Sequence, residues 1–167
     1  MSKIRVLELG MTDNVGGIET YLFNQFKRVD SQQFHYTFFN DNHPCLAFEK
    51  DILSLGGEII NCSIDARKSP FHFLKQFCIA LKEGNFDIVI MNANMFSRKQ
   101  IMMLSLAKES GVPVRILHAH NSNQSFSIKG ILGKISEYPI SAWNWKKTIT
   151  QRWACSKDAG RFFFSKQ

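Results

Sequence analysis

The chain of 167 residues and 19.2 kDa is long enough for one compact domain with its own core, so it needs neither disulfides nor a structural metal to fold. A hydrophobic fraction of 44% and a charged fraction of 21% exclude an intrinsically disordered chain. No run of 18 uncharged apolar residues occurs, and the start "MSKIRVLELG" lacks the apolar stretch and cleavage site of a signal peptide, so a cytoplasmic location is expected.

The net charge of +7 is uneven: from Lys129 to Gln167 there are 8 basic residues against 2 acidic ones, and the remainder is nearly neutral. A basic C-terminal quarter suits a membrane surface, a nucleic acid or an anionic ligand, or is simply a solvated helix face. The cysteines Cys45, Cys62, Cys78 and Cys155 are far apart with no Cys-x-x-Cys pair, and they read as reduced core residues.

Short runs rich in β-branched and aromatic residues alternate with stretches of helical period, the pattern of repeated βαβ units. Strands are expected at Ile4–Leu9, Phe34–Phe39, Glu58–Cys62, Asp87–Met91, Val114–His118 and Arg152–Cys155. The first helix places Ile18, Tyr21, Leu22, Phe26 and Val29 on one stripe; the second carries Cys45, Phe48, Ile52 and Leu55 and stops at Gly56–Gly57. A third opens with Ser69 as N-cap and Pro70 in its first turn and runs through Phe71, Leu74, Phe77, Cys78 and Leu81 to Gly84. A fourth runs from near Ser97 to Gly111, with Pro113 just beyond. Residues 126–150 read as two amphipathic helical segments interrupted at Pro139. Continuous apolar runs such as "DIVIM" need cover on both faces. The expected fold is therefore a Rossmann-like, doubly wound, mainly parallel α/β sheet of about six strands with helices on both faces.

In such a sheet ligands bind beyond the carboxyl ends of the strands. The first strand leads into "GMTDNVGGIET", where Gly16 and Gly17 stand at a helix start that favours an anionic group, unless they merely form a tight turn. The spacing matches neither G-x-G-x-x-G nor a P-loop, which disfavours a nicotinamide dehydrogenase and an ATPase. The fourth and fifth strands exit into "NANMFSRK" and "HAHNSNQS", which would gather three polar loops on one rim. His118 and His120 fall on the same side of an extended backbone. They lack an evident third metal ligand, and read either as a histidine presented to an oxygen-rich substrate or as ordinary strand-end residues.

The succession "IRVLELGMTDNVGGIETYLFNQF", "LGGEIINC", "FDIVIMNANMFS", "GVPVRILHAHNSN" and "WACSKDAGRFFF" resembles the N-terminal half of bacterial GT-B glycosyltransferases of family four, especially the branch making surface and extracellular polysaccharides. The resemblance covers essentially residues 1–167 and implies one half of a GT-B fold: an N-terminal acceptor-binding domain whose nucleotide-sugar-binding partner domain is absent from this chain. No counterpart of the family's Glu-x6-Glu donor motif is present, so little transfer is expected from this piece alone. The resemblance implies a retaining, metal-independent, hexosyltransferase-type enzyme with no cofactor beyond its nucleotide-sugar co-substrate.

It also implies site roles. Gly16, Gly17, Glu19 and Thr20 match the loop that approaches donor phosphates and acceptor. The family's histidine near the transferred sugar is His118 or His120, with His120 favoured as lying further out. Asn92, Asn94, Asn121 and Ser122 match acceptor-lining positions. Acceptors in this branch are glycans or polyprenyl-diphosphate-linked sugars, so Lys129, Lys134, Lys146 and Lys147, interleaved with aromatic residues, become candidates to face an anionic membrane or, alternatively, to pack against another domain. Two other readings stand beside this one. A non-catalytic sugar- or nucleotide-binding α/β module is compatible with the same residues. A nucleic-acid binder is disfavoured by the near-neutral first 128 residues and the lack of a recognition motif.

Overall fold

The computed structural model describes residues 2–95, 97–121 and 147–164. Among them, six strands form one sheet: β1 (Ile4–Leu9), β2 (Phe34–Asp41), β3 (Glu58–Cys62), β4 (Ile88–Ala93), β5 (Val114–Ala119) and β6 (Gln151–Ala154). Every neighbouring pair is parallel and the order is β3-β2-β1-β4-β5-β6, the doubly wound Rossmann arrangement. The helices are α1 (Gly17–Phe26), α2 (Glu49–Ser54), α3 (Pro70–Gly84), α4 (Arg98–Glu109) and α5 (Lys157–Phe164).

Side chains alternate across the sheet, so each strand feeds two cores. Val6, Tyr36, Phe38, Ile90 and Ile116 pack against Leu22 of α1 and Ile52 of α2 on one face. Leu7, Leu9, Phe39, Val89, Met91 and Leu117 meet Phe73 and Phe77 of α3, Met103 and Leu104 of α4, and Phe163 of α5 on the other. Phe38, Phe39, Phe73 and Phe77 are all at most 1% exposed, and each fully buried ring of this kind is worth about 1.5–3 kcal/mol.

Local sequence explains most boundaries. Ser97 accepts from the Gln100 backbone N–H at 3.3 Å while the Gln100 side chain accepts from the Ser97 N–H at 3.0 Å, a complete capping box for α4. Pro70 opens α3 as expected, but Ser69 does not cap it; its hydroxyl lies 3.3 Å from His72 Nδ1 instead. The second helix is shorter than its apolar spacing predicts, because Phe48 takes a left-handed conformation (φ 58°) and Leu46 N–H donates to Glu49 Oε2, which restricts α2 to six residues. Leu55 is accordingly exposed, as is Phe71 on α3. The expectation of core cysteines holds for Cys62 alone in full: Cys78 is half-buried, and Cys45 and Cys155 are exposed in loops. The two helical segments expected within 126–150 lie almost wholly outside the described residues.

Arg115 on β5 is buried and donates through Nε to the Thr148 carbonyl at 2.6 Å and through a terminal nitrogen to the Val112 carbonyl, while Thr150 Oγ1 accepts from the Arg115 N–H at 2.8 Å. These bonds fix where the chain re-enters the sheet before β6, and burial holds the guanidinium pKa below its usual range.

Just beyond β1, the chain at Gly10 lies against the backbone of β4. Gly10 has φ +98°, and a Cβ there would stand 2.4 Å from the Asn92 carbonyl oxygen. Gly10→Ala is therefore expected to lower the unfolding free energy by more than about 1 kcal/mol, both from strain and from the clash. At Gly17, φ is not positive and a Cβ would meet nothing within 4 Å. Gly17→Ala should be neutral or slightly stabilising in the same urea titration. Equal loss at both positions would overturn this assignment.

Candidate functional site

The strand order reverses between β1 and β4, and in sheets of this type a crevice opens there at the carboxyl ends. On the α1-facing side of that crevice the apolar row is broken by polar side chains: Glu8 from β1, Asn92 from β4, His118 from β5, and His120 just past it.

Glu8, Asn92 and His120 form a directed chain of hydrogen bonds. Asn92 Nδ2 donates to Glu8 Oε1 at 2.5 Å and to the Leu9 carbonyl at 3.0 Å, and Asn92 Oδ1 lies 2.9 Å from His120 Nε2. A backbone carbonyl can only accept, so the bond to Leu9 identifies the inward-facing amide atom as Nδ2, and Oδ1 as the atom facing the imidazole. His120 Nε2 then carries the hydrogen, and Nδ1 is the lone-pair nitrogen of the neutral ring. Glu8 and Asn92 are both 3% exposed. Burial pushes the Glu8 carboxyl up to about 8, with the Asn92 hydrogen bond pulling the other way.

The two imidazoles stand together as expected, their centroids 4.0 Å apart. Tyr21 of α1 meets each edge-on at 5.4 Å, and Trp153 of β6 meets His118 at 5.9 Å. Desolvation holds His118 below the usual imidazole range. It lowers His120 to about 4, with the His118 charge adding to the effect and Glu19 opposing it. Among the described residues no group of three or more His, Cys, Asp or Glu side chains could hold a metal ion.

The loop between β1 and α1 is held internally. Thr12 donates to Glu19 Oε1 through its N–H at 3.2 Å and its hydroxyl at 2.7 Å, Ala47 N–H donates to the Thr12 carbonyl at 2.8 Å, and His43 Nδ1 lies 3.1 Å from Asp13. Glu19 is thus a buried clasp, 7% exposed, whereas Gly16, Gly17 and Thr20 lie exposed at the helix start. Gly16 is the N-cap in extended backbone (φ −119°) without a side-chain cap, so the first N–H groups of α1 lack intrahelical acceptors. Neither glycine has a positive φ, so the tight-turn reading does not account for them.

Asn94 is exposed in the bend after β4, Asn121 follows His120 at the rim, and Lys147 is exposed; Ser122, Lys129, Lys134 and Lys146 lie outside the described residues. Sequence reasoning missed Glu8, placed Tyr21 in the core stripe, and assigned no role to Trp153. The available signal was the lone acid in the apolar run "IRVLEL". Two cavities, of about 270 Å³ beside Arg5, Glu58 and Glu83 and about 330 Å³ beside Lys3, Phe34 and Leu55, lie toward the amino ends of the strands, away from this cluster.

The neutral imidazole has a measurable consequence. An NMR titration should place the His120 midpoint near pH 4. Because the folded pKa is depressed, this group's contribution to stability is complete above its unfolded pKa of 6.5 and is lost as pH falls through 4. A midpoint at or above 6.5 would contradict the buried geometry.

No protein-family model matches this sequence. A curated protein of Bacillus subtilis (strain 168), "Putative glycosyltransferase EpsF", is 30% identical over an alignment of 179 positions that takes in 98% of this chain and 41% of that protein. Among solved structures, a "putative UDP-N-acetylglucosamine 2-epimerase" from Listeria monocytogenes superposes with a TM-score of 0.60 at 11% identity over 96% of this chain and 42% of that one. A Thermobaculum terrenum O-GlcNAc transferase mutant gives 0.51 at 9% identity over 71% and 22%. These two likenesses show a shared Rossmann-like α/β fold. The glycosyltransferase resemblance carried by the sequence is thus shared by a curated relative that matches nearly the whole of this chain, over less than half of that relative's own length.

Proposed function

We propose that this chain is the acceptor-binding half of a GT-B glycosyltransferase, moving a sugar from a nucleotide-sugar donor to a glycan or lipid-linked glycan in polysaccharide biosynthesis. The observation that carries the reading is the pairing, at one strand-end crevice, of an uncapped helix start at Gly16 and Gly17 with a neutral imidazole of defined tautomer at His120. The match to the curated glycosyltransferase supports it independently.

The two features suit different parts of one substrate. Outward-facing N–H groups and the helix dipole favour an anionic phosphate. The open space at Gly17, where a Cβ would meet nothing, lets a ligand come close to the backbone. A neutral Nδ1 lone pair instead accepts from a hydroxyl and repels a phosphate oxygen, so His120 faces the sugar and the α1 terminus faces the diphosphate. With no cationic imidazole at neutral pH, the leaving diphosphate must be stabilised by backbone dipoles here and by cationic groups of the rest of the enzyme. Retention of configuration and independence from metal belong to this proposal as well.

In a full-length enzyme, His120→Ala is expected to lower transfer by at least about 100-fold, the lower range for a lost positioned acid–base group. Activity within about twofold of wild type would reduce the site to a binding surface. Gly17→Ala should weaken transfer while leaving stability unchanged; unaltered kcat/KM would remove the loop from the ligand's path.

The basic segment from Lys129 to Lys147 is proposed to bring the enzyme to anionic lipid, each cation near the surface being worth about 1 kcal/mol at best. Among the described residues no helix is long and apolar enough to cross a membrane, so contact would be peripheral. Co-sedimentation with phosphatidylglycerol vesicles at low salt, lost at high salt, is the expected result; no binding at low salt would dismiss it.

A further inference from the structure

The hydrogen-bond chain ends in an acid that cannot reach a ligand. Glu8 is 3% exposed, its Oε1 accepts from Asn92, and its Oε2 is buried with no hydrogen-bond partner among the described residues. Its neighbours on the same face of the sheet, Val6, Phe38 and Ile90, are apolar. Packing alone would be met by Leu or Met at this position, without the cost of burying a carboxyl. A role in the chain of bonds explains the acid.

We infer that Glu8 is a positioning residue: acting through Asn92, it fixes which nitrogen of His120 carries the hydrogen and so which nitrogen a ligand meets. The argument runs outward from the core. Two acceptors, Glu8 Oε1 and the Leu9 carbonyl, hold Asn92 Nδ2 inward. With both of its hydrogens directed there, the amide has only Oδ1 to offer His120, and Nε2 must donate. Removing the Glu8 acceptor leaves the amide with one anchor, free to turn about its terminal torsion. The imidazole then loses its fixed partner, and Nδ1 ceases to be the obligatory lone-pair nitrogen.

The charge state of Glu8 fits this part. Burial keeps it a neutral acid up to about pH 8, with its hydrogen on Oε2 and Oε1 left to accept. The titratable groups that share its surroundings are Tyr21 and Glu19 of α1, Tyr36 of β2, His118 of β5 and His120 just past it, and Cys155 after β6. The charge of an ionised Glu8 is, after burial, a cause that raises the Tyr21 and Tyr36 phenols. Above about pH 8 the new anion should also be felt at His120 through Asn92.

This inference rests on the reading of His120 as the ligand-facing group, but its test needs no sugar. In this 167-residue chain labelled with 15N-histidine, wild type should show His120 as the Nε2–H tautomer, with a second inflection of its ring signals near pH 8 as Glu8 ionises. Glu8→Gln keeps an acceptor for Asn92, so the tautomer should persist and the pH 8 inflection vanish. Glu8→Leu removes the acceptor, and the His120 signals should move to those of a mixture of tautomers. A folded Glu8→Leu protein with the wild-type tautomer signature would overturn the proposal. So would a wild-type His120 found as the Nδ1–H tautomer or as a mixture, which decides the matter even where Glu8→Leu fails to fold. Either result would leave the transferase reading standing on His120→Ala alone.

Discussion

The contact on which the site depends is the junction of β1 and β4, where Gly10 lies against the Asn92 backbone and the Asn92 side chain bonds back to Glu8 and Leu9. A doubly wound sheet must open at this point, because the connections on either side run to opposite faces. An opening lined by apolar side chains would be a defect. Here it is closed from within by one amide that satisfies a carboxyl and a carbonyl, and whose remaining oxygen faces the rim. The same bonds that hold two strands together at their buried carboxyl ends therefore set the polarity of the imidazole that faces out.

That coupling accounts for the cluster remaining neutral. A charged Glu8 and a charged His120 would both be desolvated, at a cost exceeding what their attraction through an intervening amide returns. Burial instead pushes the acid up to about 8 and the base down to about 4, so across the intervening range both are uncharged. Tyr21 and Trp153, packed edge-on against the histidines, extend the low-dielectric surround to the surface.

The fold was largely legible because its signals were redundant. Strand β1 was marked by an apolar run leading into a glycine-bearing loop, and α4 by Ser97, Gly111 and Pro113 acting together. Where a single signal stood alone, the reading slipped. The spacing of Cys45, Phe48, Ile52 and Leu55 described a helical stripe, but nothing local revealed that Phe48 would take a left-handed conformation and shorten α2. In α1, Tyr21 obeyed the core period and yet is 42% exposed, because its ring rests on two histidines that the period cannot see.

The site was legible in outline and not in wiring. Strand-end position and the two-residue repeat put His118 and His120 on one side, and the structure sets their rings side by side. The partners that decide their chemistry come from residues 8 and 92, distant in sequence and joined only by the β1–β4 pairing. Asn92 stood out as a polar strand end without indicating that it faces inward. Glu8 looked like one charge in an apolar strand, and such a charge in a central parallel strand, covered on both faces, has no solvent to turn to. It must find a partner within the sheet. The strand that supplies one is fixed by topology, so the acid in "IRVLEL" gains its meaning only once β1 is known to lie beside β4.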